Sequence, residues 1–75
     1  MKEKRKYSVK KLLAFVNDIE EILGGAGVID YIAVTPDEFS IYIQHGVSML
    51  LVMKLINLGM YSLLIQFSSM KIILN

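Results

Sequence analysis

Cysteine and tryptophan are absent from these 75 residues, and proline and histidine occur once each, as Pro36 and His45. Without cysteine there is no disulfide, no thiol nucleophile and no thiolate metal ligand, and the composition fits a reducing compartment, so a cytoplasmic location is expected. One histidine leaves little material for a histidine-based metal centre. Charge is sparse as well: between residues 46 and 67 the only charged side chain is Lys54. A chain this short closes one core and removes only about 60% of its unfolded surface from water. Dense apolar packing or oligomerisation must then support it.

Apolar side chains are what the sequence has in quantity. They make up 55% of it, against about 45–50% in ordinary domains even with glycine counted, and mean hydropathy is +0.54. Part of that surface is expected to stay exposed, the mark of contact with a second copy, another protein or a membrane. The net charge of +1 hides an uneven distribution. Lys2, Lys4, Arg5, Lys6, Lys10 and Lys11 stand against Glu3 alone in the first 11 residues, whereas Lys54 and Lys71 face Asp18, Glu20, Glu21, Asp30, Asp37 and Glu38 thereafter. The reading is a basic N-terminal arm, 1–7, on a single domain, 8–75.

Residues 46–67 are long enough to span a bilayer. A lysine at the bilayer centre costs about 2.5–3.5 kcal/mol on insertion scales, however, and Asn57, Gly59 and Gln66 dilute the run. A helix ending near Gly59 and a strand after it explain the run better, so a membrane association is not expected. The apolar stretch after the basic start is broken by Asn17, Asp18, Glu20 and Glu21, which is unlike a secretory signal.

Val9, Leu12, Val16, Ile19 and Leu23 recur at three and four residues and predict a helix from Val9 to Leu23, widened on its apolar side by Leu13 and Ile22. Ser8 is placed to cap it, and Gly24, Gly25 and Gly27 to end it. Val28–Val34 and Phe39–Gln44 read as strands joined at Thr35-Pro36-Asp37-Glu38. Pairing Val34 with Phe39 sets Ile32 opposite Ile41 and Asp30 opposite Ile43 on the core face. Ala33 then meets Ser40, Tyr31 meets Tyr42 and Ile29 meets Gln44 on the other.

A second helix is expected over Val47–Leu58, with almost no polar side. It is followed by strands Met60–Phe67 and Met70–Leu74 turning at Ser68-Ser69, which pairs Phe67 with Met70, Ile65 with Ile72 and Leu63 with Leu74. The pattern helix, strand, strand thus occurs twice. It predicts an α+β fold, a four-stranded antiparallel sheet with two helices on one face in the order αββαββ. That order resembles a ferredoxin-like topology permuted so that its first strand comes last, a likeness that implies no function.

Residues for catalysis are few. His45, between Gln44 and Gly46, reads as a turn or capping residue. Ser40, Ser48, Ser62, Ser68 and Ser69 lack a nucleophile-elbow pattern. Asp37 and Glu38 read as solvated turn carboxylates, and Gly24-Gly25-Ala26-Gly27 follows a helix where a phosphate loop precedes one. No catalytic, cofactor or metal site is expected, and the chain does not read as an enzyme.

Contact surfaces are better supplied. Ile29, Tyr31, Tyr42, Leu64 and Ile73 fall on the sheet face away from the helices, and the last strand, Met70–Leu74, reads as an edge with only Lys71 to discourage pairing. The expectation is a non-catalytic protein-interaction module that self-associates as a homodimer and regulates or inhibits a larger partner, of the kind phages and mobile elements carry. The alternative is a nucleic-acid-binding protein. Lys2, Lys4, Arg5, Lys6, Lys10 and Lys11 would meet phosphates, and Tyr7, Tyr31 and Tyr42 would stack on bases.

Overall fold

The computed structural model describes residues 8–67 and 69–75, so the arm 1–7, with Lys2, Lys4, Arg5, Lys6 and Tyr7, lies outside the described residues. Helix α1 spans Val9–Leu23. The hydroxyl of Ser8 accepts a hydrogen bond from the Lys11 N–H at 3.2 Å, satisfying one donor the helix cannot satisfy itself. At the other end Gly24 takes a left-handed φ of 115°, and its N–H and that of Gly25 both donate to the Glu20 carbonyl. The buried side is turned relative to the expected stripe: Phe15, Ile19 and Leu23 are buried while Val9 and Leu13 are largely exposed. Phe15 decides this, because its ring stacks on that of Tyr61 with centroids 4.9 Å apart and buries more area than a valine would.

After a single 3-10 turn, Ala26–Val28, strands β1 (Ile29–Val34) and β2 (Phe39–Ile43) form the first hairpin. Thr35 closes the turn: its N–H donates to the Glu38 carbonyl at 2.9 Å, and its hydroxyl accepts from the Asp37 N–H. Val34 meets Phe39, Ile32 meets Ile41 and Tyr31 meets Tyr42 as the alternation requires, but beyond Tyr31 the register shifts and Ile29, not Asp30, pairs with Ile43. Strict alternation would have pointed the Asp30 carboxylate into the core, where an unpaired charge is expensive. A bulge at Asp30 removes the conflict, bringing Ile29 against the core and leaving Asp30 exposed, where it accepts from the Gln44 side chain at 3.4 Å.

Helix α2 covers Met49–Ile56, shorter at both ends than the expected 47–58, since Ser48 is still extended and the chain turns through Asn57–Gly59. Strand β3 (Tyr61–Gln66) follows at once, so the apolar run 46–67 divides into helix and strand. Among the described residues no helix is long and apolar enough to cross a membrane. The second hairpin, β3 with β4 (Ser69–Leu74), also departs from expectation: Gln66 pairs with Ser69, Ile65 with Met70 and Leu63 with Ile72. A shift of two residues leaves every side chain on its expected face, so hydrophobic alternation cannot distinguish the two registers. The observed one starts its turn at Phe67, φ 52°, and brings Tyr61 into the ladder opposite Leu74.

The sheet order is β1-β2-β4-β3 with all neighbours antiparallel, the order expected of the permuted ferredoxin-like topology. β4 therefore lies inside the sheet between β2 and β3, which overturns its expected role as an edge; the edges are β1 and β3. The α2 crossover from β2 to β3 skips one position, and β4 fills the gap. Ile41 and Ile72, facing each other on the two central strands, are fully buried with Phe15, Ile19, Val52 and Leu55 of the helices. Cover fails at the margin. Ile32, beside Ile41 and on the same face, is 42% exposed, and Val34 is 53% exposed. Ile41→Ala is expected to cost about 2–5 kcal/mol and Ile32→Ala about 1 kcal/mol, read as shifts of the urea midpoint. Equal costs would mean that the helices reach over β1 after all.

Candidate interaction surface

The face of the sheet away from the helices is built by register. One row runs Tyr31–Tyr42–Lys71–Leu64 across β1, β2, β4 and β3, and the next runs Ala33–Ser40–Ile73–Ser62. Directly opposed residues on an antiparallel ladder project to one side, so these eight share the open face. Tyr31 and Tyr42 stack with centroids 4.4 Å apart and planes 15° from parallel, and Tyr31 remains 53% exposed. Leu64 is exposed; Tyr42 and Ile73 are half-buried against their neighbours.

Charge on this face is paired. Lys71 Nζ lies 3.0 Å from a Glu38 carboxylate oxygen and 5.7 Å from the centre of the Tyr42 ring. Hydrogen bonding from Lys71 holds the Glu38 carboxyl below its ordinary range, and Glu38 in turn raises the Lys71 ammonium. Desolvation, then the neighbouring Tyr42, pushes the Tyr31 hydroxyl upward. The buried Ser40 hydroxyl donates to the Ala33 carbonyl at 3.4 Å. The result is a mostly apolar platform with one internally balanced ion pair.

Of the expected contact residues, Tyr31, Tyr42, Leu64 and Ile73 come together here. Ile29 does not, because the bulge puts it on the helix side against the core. Lys10 and Lys11 belong to α1, in the layer on the opposite side of the sheet from the tyrosines. His45 is exposed in the turn before α2, and Asp37 is exposed while Glu38 is engaged by Lys71. Among the described residues no group of three His, Cys, Asp or Glu side chains gathers as a metal site would.

A second feature has no signal in the sequence. A groove of about 400 Å³ opens on the helix side, lined by Lys11, Ala14, Phe15, Asp18, Met60, Tyr61 and neighbouring residues. Within it the Tyr61 hydroxyl donates to Asp18 Oδ2 at 2.5 Å. Asp18 sits among polar residues of α1 and reads as solvated; only the tertiary fold brings it to a tyrosine 43 positions later. Burial, then the hydrogen bond to Asp18, pushes the Tyr61 hydroxyl far above its ordinary value.

No protein-family model, no curated protein and no solved structure matches this chain.

The Tyr61–Asp18 contact gives a checkable stability term. A hydrogen bond to a charged group contributes about 1.5–3 kcal/mol, so Tyr61→Phe should lose a similar amount at neutral pH. The folded-state value of Tyr61 lies above the unfolded 10.0, so this stability is complete below that pH and is lost as pH climbs past it. Denaturant titrations across the alkaline range should show wild-type stability falling above pH 10, and Tyr61→Phe falling less steeply. Parallel curves would remove Tyr61 as the cause.

Proposed function

We propose that this chain is a small non-catalytic protein-interaction module, self-associating, that regulates or inhibits a larger partner by occupying its surface with the open sheet face. The observation that carries the reading is the Tyr31–Tyr42 stack beside Leu64 and Ile73 on a face that the helices do not cover. Tyrosine-rich, charge-poor centres are what protein interfaces bury, and their energy concentrates in a few aromatic anchors. Lys71 and Glu38 compensate each other, so docking over that pair buries no unpaired charge there.

Area sets a limit on how the face is used. Four strands about 4.8 Å apart and six residues long cover roughly 400 Å², whereas a stable interface takes about 800 Å² from each partner. The sheet face therefore supplies the centre of a contact, and the exposed apolar side chains around it supply the remainder.

Nucleic-acid binding is the second reading, favoured by the stacked tyrosines with Lys71 close by. It ranks lower because Glu38 already holds Lys71 and because Lys10 and Lys11 lie in the other layer. The two readings separate on one comparison. Protein retained from a host extract by the wild-type chain should be lost with Tyr31→Glu and kept with Lys10→Ala/Lys11→Ala. Salt-sensitive capture of oligonucleotides, abolished by the lysine changes, would favour nucleic acid instead.

A further inference from the structure

A sheet that is not closed has two edges, and an edge strand presents a row of backbone donors and acceptors to any other strand that approaches. Proteins blunt such edges with charges, prolines and bulges. β1 is blunted in this way, by the bulge between Ile29 and Tyr31 and by the Asp30 carboxylate at the same place. β3 has none of these devices. Tyr61–Gln66 contains no charged residue and no proline, and its six residues pair with β4 in unbroken register.

The outward-facing groups of β3 follow from one hydrogen bond. The Asn75 N–H donates to the Met60 carbonyl at 2.9 Å, and these positions continue the β3–β4 register. In an antiparallel ladder hydrogen-bonded and non-hydrogen-bonded pairs alternate. Ser62, Leu64 and Gln66 therefore bond toward β4, and the backbone N–H and C=O groups of Tyr61, Leu63 and Ile65 point away from it.

We propose that β3 pairs antiparallel with β3 of a second copy of this chain, about a two-fold axis at Leu64, joining two four-stranded sheets into one of eight strands. The sequence is symmetric in character about that residue: Ser62, Leu63, Leu64, Ile65, Gln66 reads polar, apolar, apolar, apolar, polar. A two-fold pairing lays Leu64 against Leu64, Leu63 against Ile65 and Ser62 against Gln66, and sets no charge against a like charge. Leu63 and Ile65 both belong to the outward set, so each opposed pair exchanges its backbone hydrogen bonds. Centring on Leu63 instead would oppose Ser62 to Leu64.

Exposure agrees with this register. Leu64 is 39% and Ile65 55% exposed, one on each face of the strand, and pairing would cover both. The two-fold axis, normal to the sheet, keeps both helical layers on one side. α2 lies against β3 and leaves Met49, Leu50 and Met53 exposed.

This proposal rests on the self-association described above and names its seam. The test is the mass in solution of the full chain over a range of concentrations, for wild type, Ile65→Pro and Tyr31→Ser. Proline at position 65 removes an N–H that points away from β4, so the β3–β4 ladder keeps its bonds while the seam loses a donor on each side of the axis. Wild type and Tyr31→Ser are expected at the mass of two chains, and Ile65→Pro at the mass of one, with its circular dichroism unchanged. Should Ile65→Pro not fold, Ile65→Lys, which sets an ammonium against Leu63 across the seam on an exposed side chain that lies off the tyrosine face, must give the single-chain mass. A two-chain mass that survives the β3 changes overturns the seam but leaves self-association standing, and its loss in Tyr31→Ser moves the contact to the sheet face. A wild type of one-chain mass at every concentration overturns both.

Discussion

Two helices, of fifteen and eight residues, are too little to cover a four-stranded sheet with two faces and two edges. They bury the middle of one face, where Ile41 and Ile72 meet Phe15, Ile19, Val52 and Leu55, and among the described residues neither helix packs on the other face. Most of what is distinctive about the molecule follows from that shortage of cover. Apolar side chains exceed what a body of this size can enclose, and the surplus lies where the helices end: Ile32 and Val34 on β1, Leu64 and Ile65 on β3, Met49, Leu50 and Met53 on α2. A surplus so placed is best satisfied by another protein surface.

Periodicity carried the fold well, because each helix and strand buries a face and so writes its period into the chain. α1 is bounded as the serine and glycines require, and both hairpins form between the expected partners. Register was less legible. At Asp30 a charge forbade the simple alternation, and the backbone yielded with a bulge. In the β3–β4 hairpin a two-residue slip costs nothing in facial pattern, so the choice fell to the turn at Phe67 and to the pairing of Tyr61 with Leu74. Strand order was legible only through the topological likeness; the chain's last strand looks like an edge in sequence and is interior in space because α2 carries β3 past it.

The open face shows the same division. Tyr31, Tyr42, Leu64 and Ile73 share a side by parity alone, and parity is readable. The partnership of Lys71 with Glu38 is not, since it needs β2 and β4 to be neighbours, and neither does Asp18 announce its hydrogen bond with Tyr61. Ile29 was lost from the face through one inserted residue upstream of Tyr31, which shows how a single backbone irregularity edits a surface that alternation alone would fix.

The two edges differ in a way that bears on how large an assembly can grow. If β1 and β3 were equally receptive, β1 of one copy would pair with β3 of the next, a head-to-tail contact that runs on into a ring or, where the rotation does not close, a filament. Pairing of like with like behaves otherwise, because a two-fold axis consumes the receptive strand of both copies. The bulge at Asp30, forced first by the cost of burying a carboxylate, also twists β1 and leaves a charge at its rim. One residue thus protects the core and disables one edge, while the uncharged β3 stays open. An eight-stranded dimer bounded at both outer ends by blunted β1 strands is the closed assembly that this asymmetry permits.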